Sequence, residues 1–478
     1  MKANSRTAEP SGDHVVGNRS GDLGDAATKR AVLLIAILTS FLTPFMASSI
    51  NIALPAIERE FRVDAVLLAW VATSFLLPAA VFLLPFGRLA DIHGRKKIFG
   101  WGIAGYTAAS ILCGLSPSIG SLIAFRVLQG AAGAMIFATG VAMLTSVFPV
   151  GERGQVLGLN VAAVYLGLSL GPPLGGLLTQ FLGWRSVFLV NVPLGLSIIA
   201  LILRRLKGDW AEARGEKFDL AGTLLYSLSL TMIMHGVPQV TTRTGFWLLV
   251  LGVMGLTAFL RWEQRVEHPV LDVNLLKGNA VFTFSNLAAL INYSATFAVT
   301  FLLSLYLQYT KGLGPRDAGL ILVSQPLVMA VFSPVAGRLS DRIEPRTVAS
   351  LGMAFTVLGL VLLAFLGEGT TLPLIVAILA ILGFGFALFS SPNTNAVMSS
   401  VDRRFYGVAS ATLATMRLSG QMLSMAIATL IFALYVGRVR IAVANPASFL
   451  QSLKVAFAVF AILCFCGIFA SLARGRLK

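Results

Sequence analysis

Two arginines lie inside long stretches of small and apolar residues, where a positive charge needs a specific reason to be present. They are Arg126 and Arg417. If these stretches cross a membrane, each charge costs about 3 kcal/mol or more near the bilayer centre, so the side chains should face the protein interior and bind polar partners. A guanidinium in that position indicates either a functional charge or a structural arginine that donates to backbone carbonyls.

Polar and aromatic side chains recur within the same stretches and are candidates for the wall of a cavity. Each polar member has the alternative of an interhelical hydrogen bond, worth about 0.6 kcal/mol on average in membrane proteins. We expect part of the set to face a cavity and part to bind neighbouring helices. The members are Asn51, Gln129, Asn160, Tyr165, Asn286, Asn292, Tyr293, Gln325 and Asn393, with Phe137 and Phe386 as apolar wall.

The composition predicts which elements must hold these side chains. Of the 478 residues, 56% are hydrophobic and 12% are charged, whereas an average soluble domain has about 25% charged residues. That contrast excludes an ordinary soluble protein and predicts an all-α polytopic membrane protein, whose spans each need about 20 mainly apolar residues. Fourteen stretches qualify, at 31–57, 65–87, 97–116, 119–147, 154–181, 185–204, 218–238, 245–262, 279–309, 316–338, 346–367, 370–400, 406–437 and 452–473.

The basic residues predict the orientation of the chain. If the N-terminus is cytoplasmic, 26 of the 37 lysines and arginines fall in cytoplasmic segments and nine in external loops. An excess of lysine and arginine marks the cytoplasmic side of a membrane protein. We therefore predict that both termini are cytoplasmic and that the net charge of +16 reports orientation rather than a nucleic-acid surface. Residues 1–30 are polar, lack aromatic residues and are predicted to form a disordered tail.

An internal repeat divides the chain into two related parts. Residues 87–91 read GRLAD, and residues 337–341 read GRLSD after an interval of 250 residues. Gly130 and Gly383 form a second pair, at an interval of 253 residues. Two pairs at nearly one interval predict six-helix halves at 31–204 and 279–478, with two inserted helices and their flanking loops at 205–278.

The loop between the second and third spans combines glycine, aspartate and arginine at short spacings. Gly87 allows close packing of the backbone, and Asp91 can accept N–H groups at a helix start or pair with a basic neighbour such as Arg95. The basic residues of the loop favour the inner leaflet. A positively charged turn explains the charges but not the spacing of glycine and aspartate.

This loop resembles the signature of the major facilitator superfamily, and the segment ending in Asp341 resembles its degenerate second copy. Residues 126–130 (RVLQG) resemble the family's buried-arginine motif, and residues 184–195 (WRSVFLVNVPLG) a segment typical of its fourteen-helix branch. The resemblance covers nearly the whole chain after residue 30. It implies the major facilitator fold, with two six-helix halves and two inserted helices, and the export of amphipathic drugs in exchange for protons.

The fifth span contains a pattern that resembles the family's antiporter motif. Its glycines, including Gly171, recur at four-residue spacing and form a smooth stripe for another helix, while Pro172 bends the span. Packing of small residues is the alternative to a gating role. The resemblance implies that Arg126 serves proton coupling and that Asp91, Arg95, Gly87, Asp341 and the Gly171–Pro172 pair serve coupling or gating.

One position departs from the family pattern. The family usually has an aspartate, implied in proton or cation handling, where this chain has Met46. None of the 21 carboxylates lies deep within a predicted span. An exporter of cations normally needs a carboxylate in its cavity. A cavity that holds Arg126 and Arg417 instead favours neutral or anionic substrates.

We therefore expect a secondary transporter of the bacterial cytoplasmic membrane that exports small amphipathic compounds by alternating access between two halves. An importer or uniporter of a neutral or anionic metabolite on the same fold is the alternative. An enzyme is not expected, since the spans contain no phosphate loop, HExxH pattern or catalytic triad. The expected partners are a small substrate, protons and membrane lipid. We expect a monomer without cofactor, metal ion or nucleic acid.

Overall fold

In the computed structural model, the chain is a bundle of long helices. The structure describes residues 26–206, 208–211, 213–266, 269–271, 278–401, 406–437, 441 and 445–475. Thirteen helices within these ranges are long and apolar enough to span a bilayer. The 20-residue helix Arg95–Gly114 is less hydrophobic but has the length of a span. Together they account for the fourteen predicted spans.

The first half and the inserted pair supply eight of the membrane-crossing helices in the described ranges. The first half consists of α1 (Ala26–Phe61), α2 (Ala65–His93), α3 (Arg95–Gly114), α4 (Ile119–Val147), α5 (Val150–Leu182) and α6, which has two segments, Arg185–Leu189 and Asn191–Arg205. The inserted helices are α7 (Leu220–Gly236) and α8 (Arg243–Glu263), joined by a short 3-10 turn.

The second half has the same order of helices as the first. Its first helix, α9, ends in a π-helical turn, and its second helix, α10, is broken near Val323. The helices are α9 (Ala280–Leu305, then Tyr306–Thr310), α10 (Pro315–Leu322, then Ser324–Arg342), α11 (Pro345–Ala364), α12 (Leu372–Ser399), α13 (Tyr406–Tyr435) and α14 (Pro446–Ala473).

Polar side chains begin several helices by accepting backbone N–H groups of the first turn, which otherwise lack partners. Asp64 Oδ1 accepts from Leu67 N at 2.8 Å at the start of α2. Ser118 and Ser121 form a capping box at the start of α4. Asn279 accepts from the backbone at the start of α9. These caps determine where each helix begins and keep the connections between spans short.

Close contacts at glycine occur at equivalent places in the two halves. A Cβ at Gly130 on α4 would overlap the Phe75 carbonyl of α2, and a Cβ at Gly383 on α12 would overlap the Gln325 carbonyl of α10. The α3–α4 and α11–α12 pairs are likewise in contact at Gly102 and Gly352. Small residues let helix backbones approach closely when lipid provides no hydrophobic drive between helices. The structure thus repeats the contacts as the sequence repeats the motifs.

The inserted helices form a hairpin beside the first half. Gly252 on α8 lies against the Ser229 carbonyl of α7, and Tyr226 Oη donates to the Ala80 carbonyl of α2 at 3.1 Å. Leu224 and Leu228 on α7 are exposed, as expected for a helix that faces lipid. The hairpin therefore lies at the edge of the bundle.

Three charged residues are more buried than the sequence indicated. For two of them the helices extend beyond the apolar stretches, and the third follows directly after a helix. Helix α1 runs from Ala26 to Phe61 rather than over 31–57, so Glu58 lies on it and is 1% exposed. Glu263, at the end of α8, is 3% exposed. Arg474, which directly follows α14, is 1% exposed. None of the carboxylates lies deep within a predicted span, but the sequence did not indicate that Glu58 and Glu263 are buried at span ends. The proposed tail falls mostly on residues 1–25, outside the described ranges.

Replacing Gly130 by alanine should destabilise the folded protein, because the new methyl group overlaps the Phe75 carbonyl on a neighbouring helix. We expect a loss of about 1–3 kcal/mol, typical of overpacking, measured as a lower midpoint of thermal unfolding in detergent. The matched control is Gly100→Ala on α3, where a Cβ meets nothing within 4 Å and alanine favours the helix. Equal stability of the two variants would contradict the contact.

Candidate functional site

A cluster of aromatic and hydroxyl side chains surrounds Arg417 near the middle of α13. Its Nη2 donates to Thr394 Oγ1 of α12 at 2.6 Å, and its guanidinium carbon lies 5.7 Å from the ring centre of Tyr293 on α9. The edge of the Phe386 ring meets Tyr293 at a centroid distance of 5.3 Å. Among the predicted cavity residues, Tyr293, Phe386 and Arg417 therefore lie together on three helices of the second half.

Tyr165 brings the first half to this cluster. It lies on α5, close to Ser333 of α10 and Ser390 of α12, and within electrostatic range of Tyr293 and Arg417. Tyr165, Tyr293 and Arg417 are half-buried although they lie between the two halves. Partial exposure at this depth indicates that they border open space. We call Tyr165, Tyr293, Phe386, Thr394 and Arg417 the central cluster.

Arg126 has a different environment, enclosed within the first half. It is 2% exposed, and its guanidinium lies 4.7 Å from the ring centre of Phe75 and 5.9 Å from that of Phe188. Its Nε donates to the Val71 carbonyl at 3.1 Å, and its Nη1 donates to Gln129 Oε1 at 2.7 Å. These contacts connect α2, α4 and α6. Gln129 belongs to this network rather than to the central cluster, because its amide donates onward to Ser110.

The two halves are joined at the end of the bundle where α1 and α9 finish. Ser304 Oγ donates to the Asn51 carbonyl at 2.6 Å, and Gln308 Nε2 donates to the Ile52 carbonyl at 3.2 Å. Closer to the ends of the same two helices, the Tyr309 hydroxyl donates to the Glu58 carboxylate. We call this the closed end. Asn51, a predicted cavity residue, is 6% exposed and lies in this junction.

Helix α5 contacts helices of both halves near Gly171 and Pro172. A Cβ at Gly171 would overlap Ser48 of α1 and lie 2.9 Å from the Phe45 carbonyl, so the stripe packs within the first half. On the other face, a Cβ at Gly319 on α10 would overlap the Pro172 carbonyl. The bend at Pro172 therefore lies where the two halves touch.

The signature segment lies at the end of α2 and the start of α3 rather than in a long loop, and charged groups connect it to its surroundings. Asp91 Oδ1 accepts from Arg95 at 2.8 Å, and Arg95 Nη1 donates to Ser146 of α4 at 2.7 Å. Gly94, at φ 111°, adopts a backbone conformation that favours glycine. Gly87 faces Ala138 at a distance that would accept a methyl group. Asp341 lies in α10, and its side chain is outside the described part of the chain.

The remaining predicted cavity residues lie mostly between helices of one half. Asn160 accepts from Ser40 on α1 at 2.7 Å, Asn286 is 1% exposed, and Asn292 is fully buried. Asn393 donates to the Ser285 carbonyl at 3.1 Å. Gln325 and Phe137 are half-buried. The structure therefore brings only part of the predicted set to the central cluster.

Sequence reasoning missed a buried arginine at the end of α14. Arg474 Nη1 donates to Ser285 Oγ at 3.2 Å and Asn393 Oδ1 at 3.1 Å, and its Nε donates to the Ser471 carbonyl at 2.8 Å. Burial lowers the pKa of this guanidinium to about 10, and the nearby Glu344 carboxylate opposes the shift. The signal was its position one residue beyond a span, which by itself does not distinguish a buried side chain from a solvated one. Thr394 and Ser333 were also missed, because hydroxyls are common in such helices.

Comparison with known proteins agrees with this architecture. The profile of the Major Facilitator Superfamily matches residues 36–284 and 285–476. The chain belongs to the major facilitator superfamily. It is a transporter, and like other members it is an integral membrane protein that binds small molecules. The profile thus matches twice, once over each of two consecutive parts of the chain.

Curated relatives of similar identity carry different cargoes. The chain is 31% identical to the riboflavin transporter RibZ of Clostridioides difficile, over 81% of this chain and 85% of that protein. It is 31% identical to the multidrug resistance protein Stp of Mycobacterium tuberculosis, over 84% and 75%. It is 33% identical to the cephamycin export protein CmcT of Amycolatopsis lactamdurans, over 86% of each.

Solved structures show the same fold at low identity. A D-xylose–proton symporter matches with a TM-score of 0.67 at 13% identity, over 93% of this chain and 97% of that one. A bacterial homologue of the human lysosomal transporter Spinster, in an inward-facing and unoccupied conformation, matches with a TM-score of 0.64 at 16% identity, over 94% and 98%.

Gly319→Ala should open the closed end, because its methyl group overlaps the Pro172 carbonyl across the junction. A cysteine at Asn51, introduced after Cys466→Ser removes an exposed thiol, reports opening of the purified protein through its rate of reaction with a maleimide. We expect labelling to rise about fivefold, equivalent to about 1 kcal/mol of steric cost. Gly100→Ala in the same background should leave the rate unchanged. A rate unaltered by Gly319→Ala would contradict the junction.

Proposed function

We propose that this protein exports small amphipathic compounds across the bacterial cytoplasmic membrane by alternating access, in exchange for protons. The observation that carries the proposal is the central cluster, in which Tyr165 of the first half lies within electrostatic range of Tyr293 and Arg417 of the second. A site between two parallel halves is exposed to one side or the other as the halves rock. Aromatic walls with a few polar groups suit amphipathic ligands.

The closed end supports an assignment of direction. Both termini are cytoplasmic in the proposed orientation, so the junction at Asn51, Glu58 and Tyr309 is external and the central cluster is reached from the cytoplasm. An exporter loads its substrate in this conformation. The contact between Pro172 and Gly319 then lies at the gate that must separate before release.

The relatives support export as the first candidate and metabolite transport as the second. CmcT is named as an exporter of cephamycin and Stp as a multidrug resistance protein, so the exported compounds would be of that amphipathic kind. RibZ is named as a riboflavin transporter, which favours an importer or uniporter of a metabolite as the alternative.

Everted membrane vesicles test the direction and the coupling together. With protonated lumen and neutral medium, antiport predicts that fluorescein or riboflavin accumulates inside, and that a protonophore abolishes the accumulation. Vesicles from cells that lack the protein are the control. Flux that ignores the proton gradient would favour the uniporter, and loss of preloaded substrate on acidification of the lumen would contradict antiport.

Arg126→Gln should uncouple transport from protons in folded protein, if the enclosed guanidinium is part of proton coupling. We expect at least a tenfold loss of proton-driven accumulation, with downhill substrate flux retained. Arg126→Lys should not restore coupling, since an ammonium cannot reproduce the planar donation to Val71 and Gln129 between two rings. A lower unfolding midpoint would show that a variant loses accumulation because it is less stable, rather than because it is uncoupled. Normal proton-driven accumulation by Arg126→Gln would remove Arg126 from coupling.

A further inference from the structure

Half-buried Arg417 differs from the buried Arg126 and Arg474 in what the fold provides for its donors. A guanidinium has five N–H donors in a fixed fork and no acceptor. Arg126 donates through Nε and Nη1 and lies between two aromatic rings. Arg474 donates to a carbonyl, to two hydroxyls and to an amide oxygen. Within the described ranges, the buried Nε of Arg417 has no hydrogen-bond partner.

Among the described residues, no carboxylate pairs with the charge of Arg417. The ion pairs found among the described residues lie at helix ends and loops, and none of them includes Arg417. A charge that is partly removed from water is unfavourable unless it is paired and hydrogen-bonded. One hydroxyl, from Thr394, and one aromatic face, from Tyr293, compensate Arg417 only in part.

The position of Arg417 is fixed by packing one turn away. A Cβ at Gly420 would lie 2.6 Å from the Leu290 carbonyl and 2.9 Å from Tyr293 Cβ, so α13 lies directly against α9. Tyr293 in turn contacts Phe386. The guanidinium and the two rings are therefore held together before any ligand arrives, which reduces the ordering cost of binding.

We propose that Arg417 is the anion-binding residue of the substrate site and that the substrates are aromatic carboxylates. This inference rests on the proposed transport function and names its substrate class. The carboxylate accepts from two nitrogens of Arg417, in the two-bond arrangement that favours arginine over lysine. The aromatic ring packs against Tyr293 and Phe386, and Tyr165 contributes a polar group from the opposite half.

An anionic substrate has an electrical consequence. Export of one negative charge is favoured by an inside-negative membrane potential. Exchange for an entering proton moves positive charge inward as well, so both movements run with the potential. Vesicles with a lumen-positive potassium diffusion potential should therefore take up the anion faster than vesicles without one.

Binding to purified protein tests the substrate class without relying on transport. The probes 2-naphthoate, 2-naphthamide and 2-naphthylmethylammonium share the naphthyl group and differ in charge, being an anion, a neutral amide and a cation. The wild type should be stabilised against heat by naphthoate at a concentration at least tenfold lower than by the other two. Arg417→Gln should lose this preference, Arg417→Lys should keep part of it, and Arg243→Gln, at an exposed arginine at the start of α8, should keep all of it.

Three other results of the binding experiment would contradict the proposed role of Arg417. A preference for the amide or the ammonium, no binding of naphthoate to the wild type, or an unchanged preference in a folded Arg417→Gln protein would overturn the proposal. Unfolding midpoints without ligand show whether each variant is folded. If Arg417→Gln is unfolded, the preference for naphthoate is compared between the wild type and Arg417→Lys, and an undiminished preference in folded Arg417→Lys would overturn the proposal. Failure of proton-driven uptake with naphthoate binding intact would overturn the transport proposal alone.

Discussion

The partners available to a buried guanidinium decide how this bundle is organised. Lipid offers none, so each charge must be satisfied by the protein or by what it binds. Arg126 and Arg474 are satisfied by carbonyls, hydroxyls and amides of their own halves. Arg417, between the halves, keeps a buried Nε without a partner in the described part of the molecule. The contrast separates arginines that hold a half together from the one that can hold a ligand.

Close helix contacts let one half move against the other as a unit. The glycines at 130 and 383 bring equivalent helix pairs into backbone contact, so each half is a tightly packed body. The junction between the halves includes hydrogen bonds from α9 to α1 and the contact of Gly319 with Pro172. In the proposed transport cycle, these contacts would have to break. Met46 stands where the family usually has an aspartate, and its sulfur accepts a hydrogen bond from Asn191 at 3.1 Å.

Much of the fold could be predicted because the underlying signals are long. Apolar stretches of about 20 residues identify spans, and a motif that recurs after 250 residues identifies two halves. The site was less predictable. Asn286, Asn292 and Asn393 have the residue type of cavity walls, but their burial depends on helix rotation, which sequence spacing on nearly uniformly apolar helices does not determine. Glu58 was missed because α1 runs past its apolar stretch, and Arg474 because a charge directly after a helix can turn inward.

In the proposed complex, the anion of the substrate completes the hydrogen bonding of Arg417. A structure of the protein with bound 2-naphthoate tests it most directly. We predict both carboxylate oxygens at about 3 Å from nitrogens of Arg417, with the naphthyl ring against Tyr293 and Phe386. A naphthoate bound elsewhere, or an Arg417 paired with a carboxylate of the protein itself, would contradict the account.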